Sequence, residues 1–162
     1  MKEGFLRNFI FGIEDSLVST LGVVSGIAIA DVAPPTILLT GVVLVFVEAF
    51  SMGVGSFVSE ESVQEFRKRR HVPMMPSLLG AVVMFVSYVG AGALVLAPYT
   101  FLIPARALPW SVGLSLAALF LLGIFSARLS RVPLVSHGIR MMVIGGVAIA
   151  LGMFVARTVS AL

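Results

Sequence analysis

The sequence predicts an all-α integral membrane protein with five transmembrane helices. Three observations carry that expectation: a strongly apolar composition, five apolar runs of membrane length, and basic residues gathered on one side of the resulting topology. Of 162 residues, 59% are hydrophobic and only 12% charged, against about a quarter charged in an ordinary soluble domain. Such a chain cannot cover its apolar surface in water, so the lipid bilayer is its expected partner. The length suits one domain, residues 1–162, and a bundle this small leaves little room for a pore built by one copy, so an oligomer is expected. The chain has no cysteine, which excludes disulfides, thiolate zinc sites and cysteine-ligated clusters. Any metal must therefore meet oxygen, nitrogen or thioether ligands.

The elements follow from the positions of apolar runs and breakers, since a hydrocarbon core of about 30 Å needs about 20 helical residues. The first span, about 8–30, carries Glu14 and Asp15 and runs well past the short apolar region of a signal peptide, so it is expected to remain in the mature protein. After the breakers Asp31 to Pro35 comes the second span, 35–58. The run E-E-S-V-Q-E-F-R-K-R-R-H within Ser59–Met74 can prolong that helix into water for two or three turns, as a short stalk or loop. Pro73 and Pro76 precede a third span at 75–97, Pro98 to Pro109 a fourth at 109–127, and Pro133 to Gly138 a fifth at 139–160.

With five spans the two ends lie on opposite sides. Lys2, Arg7, Arg67, Lys68, Arg69, Arg70, Arg128, Arg131 and Arg140 then fall on one side, against Arg106 and Arg157 on the other. Nine against two predicts a cytoplasmic N-terminus. The net charge of +3 is thus a topology signal, and no nucleic-acid partner is expected. The localisation that follows is a multi-pass membrane protein, in the plasma membrane if the source is prokaryotic.

Acids within apolar helices are costly unless they face protein, water or a partner charge, and they mark functional candidates. Asp15 shares a helix face with Ser19, Gly22 and Gly26. That small face admits a close helix neighbour, so Asp15 is expected at a helix–helix contact; the alternative is an interfacial acid paired with Arg7 or capping a helix. Glu48, midway along the second span, has Met52 one turn later on its own face. A carboxylate beside a thioether suits borderline transition metals better than Mg²⁺ or Ca²⁺; packing by Met52, and a protonated Glu48 bonded to a neighbouring helix, are the structural alternatives. Glu14 points about 100° away from Asp15 and is an accessory metal or proton candidate, or else a surface acid. Glu61 and Glu65 share a face of the stalk, where they either gather cations or balance Arg67 to Arg70. His71 and His137 lie in loops, as solvent-exposed residues rather than ligands. No nucleophile elbow, phosphate loop or H-E-x-x-H is present, so no enzyme is expected.

F-G-I-E-D-S-L-V-S-T-L-G-V-V-S-G from Phe11, and A-F-S-M-G-V-G-S-F-V-S at 49–59, resemble the first- and second-helix signatures of the vacuolar iron transporter family. Weaker likeness continues in G-A-L-V-L-A-P-Y at 92–99 and G-I-R-M-M-V-I-G-G at 138–146. Asp15 falls on the family's metal-path aspartate and Met52 on its metal-associated methionine. Three positions depart from the pattern: Ser16 replaces a glycine, Ser56 replaces the glutamate of G-E-Y-V-S, and Glu48 stands where a small residue is usual. The long acidic domain that many members carry between the second and third helices is reduced here to Ser59–Met74, which implies a short member without that cytosolic metal-collecting domain.

The resemblance implies a homodimer that exchanges divalent metal, Fe²⁺ or Mn²⁺, for protons and exports it from the cytoplasm. The metal is then a transported substrate, and no permanently bound cofactor is expected. Asp15, Glu48 and Met52 are the expected metal residues, with Glu48 replacing the carboxylate missing at Ser56. The alternatives are another divalent cargo, or a non-transporting membrane scaffold that kept the fold.

Overall fold

The computed structural model describes residues 2–30 and 32–160. Among them the chain forms five α-helices: α1 (Lys2–Ile29), α2 (Pro34–Lys68), α3 (Met74–Phe101), α4 (Pro104–Ser130) and α5 (Leu134–Ser160). Each is long and apolar enough to cross a membrane. Asp31, expected to help break the chain after the first span, lies outside the described residues.

The helices outrun the apolar spans read from sequence because most breakers fall at helix ends, where they are tolerated, although Pro109 lies inside α4. Pro34 and Pro35 occupy the first two positions of α2 and Pro104 opens α4, where the missing N–H has no intrahelical partner to lose. Pro98 was expected to end the third span, yet α3 continues through it for one more turn, closed by Leu102 N–H donating to the Pro98 carbonyl at 3.0 Å. At 35 residues, α2 is about 52 Å long. That length exceeds the hydrocarbon thickness, so the helix continues past the apolar stretch as the stalk. α2 and α4 end on Arg69 and Arg131 in the left-handed conformation, with φ of 53° and 56°. An arginine there costs about 1–2 kcal/mol of backbone strain, partly offset by its positive charge at the negative end of the helix dipole.

α3 lies at the centre, packed against α1, α2 and α4, while α5 covers α1 and α4. One core cluster joins Val24, Ile37, Val45, Ala49, Tyr88 and Leu96; a second joins Leu17, Leu21, Val95, Leu119 and Ile149. Close approach is bought by small residues: a Cβ on Gly123 would stand 2.7 Å from the Gly138 Cα, so α4 and α5 can cross only with glycine there. By contrast α1 and α2 touch sparingly. Between them, on the half of the bundle that carries the N-terminus and the stalk, a cleft of about 810 Å³ stays open.

Candidate functional site

The short connection between α1 and α2 makes the two helices antiparallel neighbours, and their lengths set the depth of their acids. Fourteen residues separate Asp15 from the end of α1 at Ile29, and fourteen separate Glu48 from the start of α2 at Pro34. Tyr88 stands thirteen residues before the end of α3 at Phe101. About 20 Å of helix therefore lies between each residue and the same face of the bundle, which puts all three near the middle of the membrane.

At that level Glu48 Oε2 accepts hydrogen bonds from Ser19 Oγ, at 2.9 Å, and from the Tyr88 hydroxyl. The Ser19 and Tyr88 oxygens are themselves 2.6 Å apart, closing a triangle between α1, α2 and α3. Three contacts join these oxygens, while the two hydroxyls bring only two protons. Asp15, one turn from Ser19, is close enough to Glu48 for the two carboxylates to feel each other's charge. Glu48 thus hydrogen-bonds to both neighbouring helices, α1 through Ser19 and α3 through Tyr88. Arg7 pairs with Glu60 at 3.0 Å and not with Asp15, which removes the Arg7 pairing considered for that acid.

Met52 follows Glu48 by one turn and lines the cleft together with Glu14, Ser51, Ser56 and Ser59. Glu14 and Asp15 accordingly serve different surroundings: Glu14 opens into the cleft beside Met52, while Asp15 is not part of the cleft lining and lies within electrostatic reach of Glu48. Among the described residues no three His, Asp or Glu side chains come together as a metal-binding group.

Two departures from the expected signatures find structural partners. Ser16 is fully buried and its Oγ donates to the Tyr88 carbonyl at 2.7 Å, tying α1 to α3 beneath the triangle. Ser56 accepts a 2.8 Å hydrogen bond from Asn8 Nδ2, which also donates to the Gly80 carbonyl at 3.0 Å. Asn8, only 3% exposed, thereby links three helices near the mouth of the cleft. Just outside it, the Arg7–Glu60 pair and the Gln64 Nε2 bond to Glu60 Oε1, at 2.9 Å, hold the carboxyl of Glu60 below the usual carboxylate range, the Gln64 hydrogen bond contributing most and partial burial opposing it. Glu61 stands apart from this site, and Glu65 accepts from His71 Nδ1 at 2.7 Å on the exposed stalk.

The close helix neighbour of the small face of α1 is α5. Gly22 stands against Gly152, and a Cβ on Gly26 would lie 2.7 Å from the Ala156 Cβ, so α5 of the same chain fills this face. Ser19, at its inner end, serves the Glu48 cluster instead. Sequence reasoning missed Tyr88 and Asn8. Each left a signal, as a hydrogen-bonding side chain within an otherwise apolar helix, where a partner is required.

No curated protein matches this sequence. A family model, the VIT family, matches residues 6–75 and 70–157, nearly the whole chain. With that match and five membrane-length helices, the chain belongs to the VIT family, a family of membrane metal-ion transporters and not of enzymes.

Proposed function

We propose that the protein is a homodimeric, proton-coupled exporter of a divalent transition metal, Fe²⁺ or Mn²⁺, oriented with its basic end in the cytoplasm. The observation that carries this reading is the pair of acids, Asp15 and Glu48, at one mid-membrane depth, with Met52 one turn along α2 at the open cleft. Cargo enters by the cleft past Glu14 and Met52, and Asp15 and Glu48 bind it at the centre. Proton and metal compete for the same carboxylate oxygens, which is how exchange is coupled. The thioether of Met52 disfavours hard ions. Two carboxylates from one chain make an incomplete ligand set, and a second copy facing the cleft supplies the remainder; this supports a dimer.

The test is uptake of Mn²⁺ or Fe²⁺ into proteoliposomes holding the purified protein under an imposed pH gradient. Uptake should require the gradient and fall to background in Asp15→Ala, and Glu48→Gln should lose affinity. A Glu48→Gln variant with normal rate and affinity would remove Glu48 from the path, and uptake of cobalt in preference to iron or manganese would change the cargo. The scaffold reading draws on Ser56, where the family's carboxylate gives way to a hydroxyl tied to Asn8. Folded protein that moves no divalent ion would establish that reading.

A further inference from the structure

Glu48 has three rotatable side-chain bonds, and left alone its carboxylate would sample many positions in the gap between α1 and α2. Its Oε2 is instead held by two hydroxyls of unequal standing. Ser19 belongs to α1, is only half-buried, and borders the lipid-facing surface between α1 and α5. Tyr88 is fully buried, its ring packed in the core with Val45 and Ala49, and its own backbone carbonyl is pinned by Ser16. A phenol fixed by its packing keeps its oxygen in place whether or not cargo is present.

We infer that Tyr88 is the positioning residue of the cargo site: through its hydroxyl it holds Glu48 in one orientation, with Oε2 engaged and Oε1 left for a divalent cation. The inference rests on the transport reading above. A ligand oxygen ordered in advance spares the cation the cost of ordering it, so the benefit falls on affinity. Removing the hydroxyl removes a hydrogen bond to a charged group and leaves the packing of the ring intact.

The experiment is Mn²⁺ uptake by Tyr88→Phe proteoliposomes, read as KM against kcat, with Ser19→Ala beside it. Tyr88→Phe should raise KM about tenfold while kcat stays within about twofold, and Ser19→Ala should raise KM less. A purely structural role would lower the amount of folded protein or kcat instead. An unchanged KM in Tyr88→Phe, beside an active wild type, overturns the inference. An inert wild type overturns the transport reading, which is a different result. A spectroscopic arm needs no transport: the chain has two tyrosines, so the ring Cζ resonances of ¹³C-tyrosine-labelled protein can be told apart. The Tyr88 resonance should move on Glu48→Gln in metal-free protein. If it stays, the hydroxyl does not hold Glu48 and the inference falls, even if Tyr88→Phe proves too unstable to assay.

Discussion

Gly92→Ala is the sharpest test of the packing that holds the Glu48 cluster together. Gly92 lies one turn beyond Tyr88 on α3, and a Cβ there would meet Val45 Cγ2 at 2.5 Å, Val45 Cγ1 at 2.8 Å and Ser16 Oγ at 3.1 Å. None of these atoms can easily yield. Val45 is 3% exposed, and a β-branched residue in a helix has one strongly preferred rotamer, so turning it gains nothing. Ser16 is committed to the Tyr88 carbonyl. The strain must pass to the backbones, separating α2 from α3 one turn from Glu48. Overpacking of this kind costs about 1–3 kcal/mol, against a gain of about 1 kcal/mol from replacing a helical glycine by alanine. Gly90, two residues earlier on the same helix, has nothing within 4 Å of its would-be Cβ, so Gly90→Ala collects the propensity gain alone. The two variants should differ by about 1–3 kcal/mol, with Gly92→Ala the less stable. Unfolding in mild detergent titrated with dodecyl sulfate, followed by circular dichroism, measures that difference. Gly92→Ala as stable as Gly90→Ala would refute the close approach of α2 and α3 at this level.

Two further outcomes follow from the polar ties at the basic end. Asn8→Leu removes both bonds that Asn8 Nδ2 makes, to Ser56 and to Gly80, and should cost about 1–2 kcal/mol in the same unfolding assay, given interhelical hydrogen bonds of about 0.6 kcal/mol on average and at most about 1.7. Gln64→Ala removes the main cause of the low pKa of Glu60, so its carboxyl should titrate higher, towards the ordinary range, as read by ¹³C NMR of labelled glutamate. Because folding depresses this pKa, the stabilisation it brings is present above the ordinary carboxylate range and is lost as pH falls through the lowered folded value. The Arg7–Glu60 contact should therefore survive mild acidification in the wild type and break at higher pH in Gln64→Ala.

The five helices were legible in the sequence because membrane insertion is decided locally: about 20 consecutive apolar residues satisfy the bilayer whatever their neighbours are. Asp15 and Glu48 were legible for the same reason, since an acid in such a run is conspicuous wherever it points. Met52 stood out only by its spacing from Glu48 and by the resemblance around it. The breakers were read too strongly: a proline that opens a helix loses no intrahelical hydrogen bond, so α4 begins at Pro104, and α3 runs one turn past Pro98 despite the bond that proline forgoes.

What only the tertiary structure decided is which helix faces which. Helical spacing groups Ser19, Gly22 and Gly26 on one face, but it carries no information about the rotation and neighbour of that face. The folded chain gives the glycines to α5 and Ser19 to Glu48. Tyr88 reaches Glu48 across 40 residues and Asn8 reaches Gly80 across 72, each because α3 packs centrally against both α1 and α2. A polar side chain in a membrane helix must find a partner. That requirement is written in the sequence; the identity of the partner depends on the packing of all the helices together.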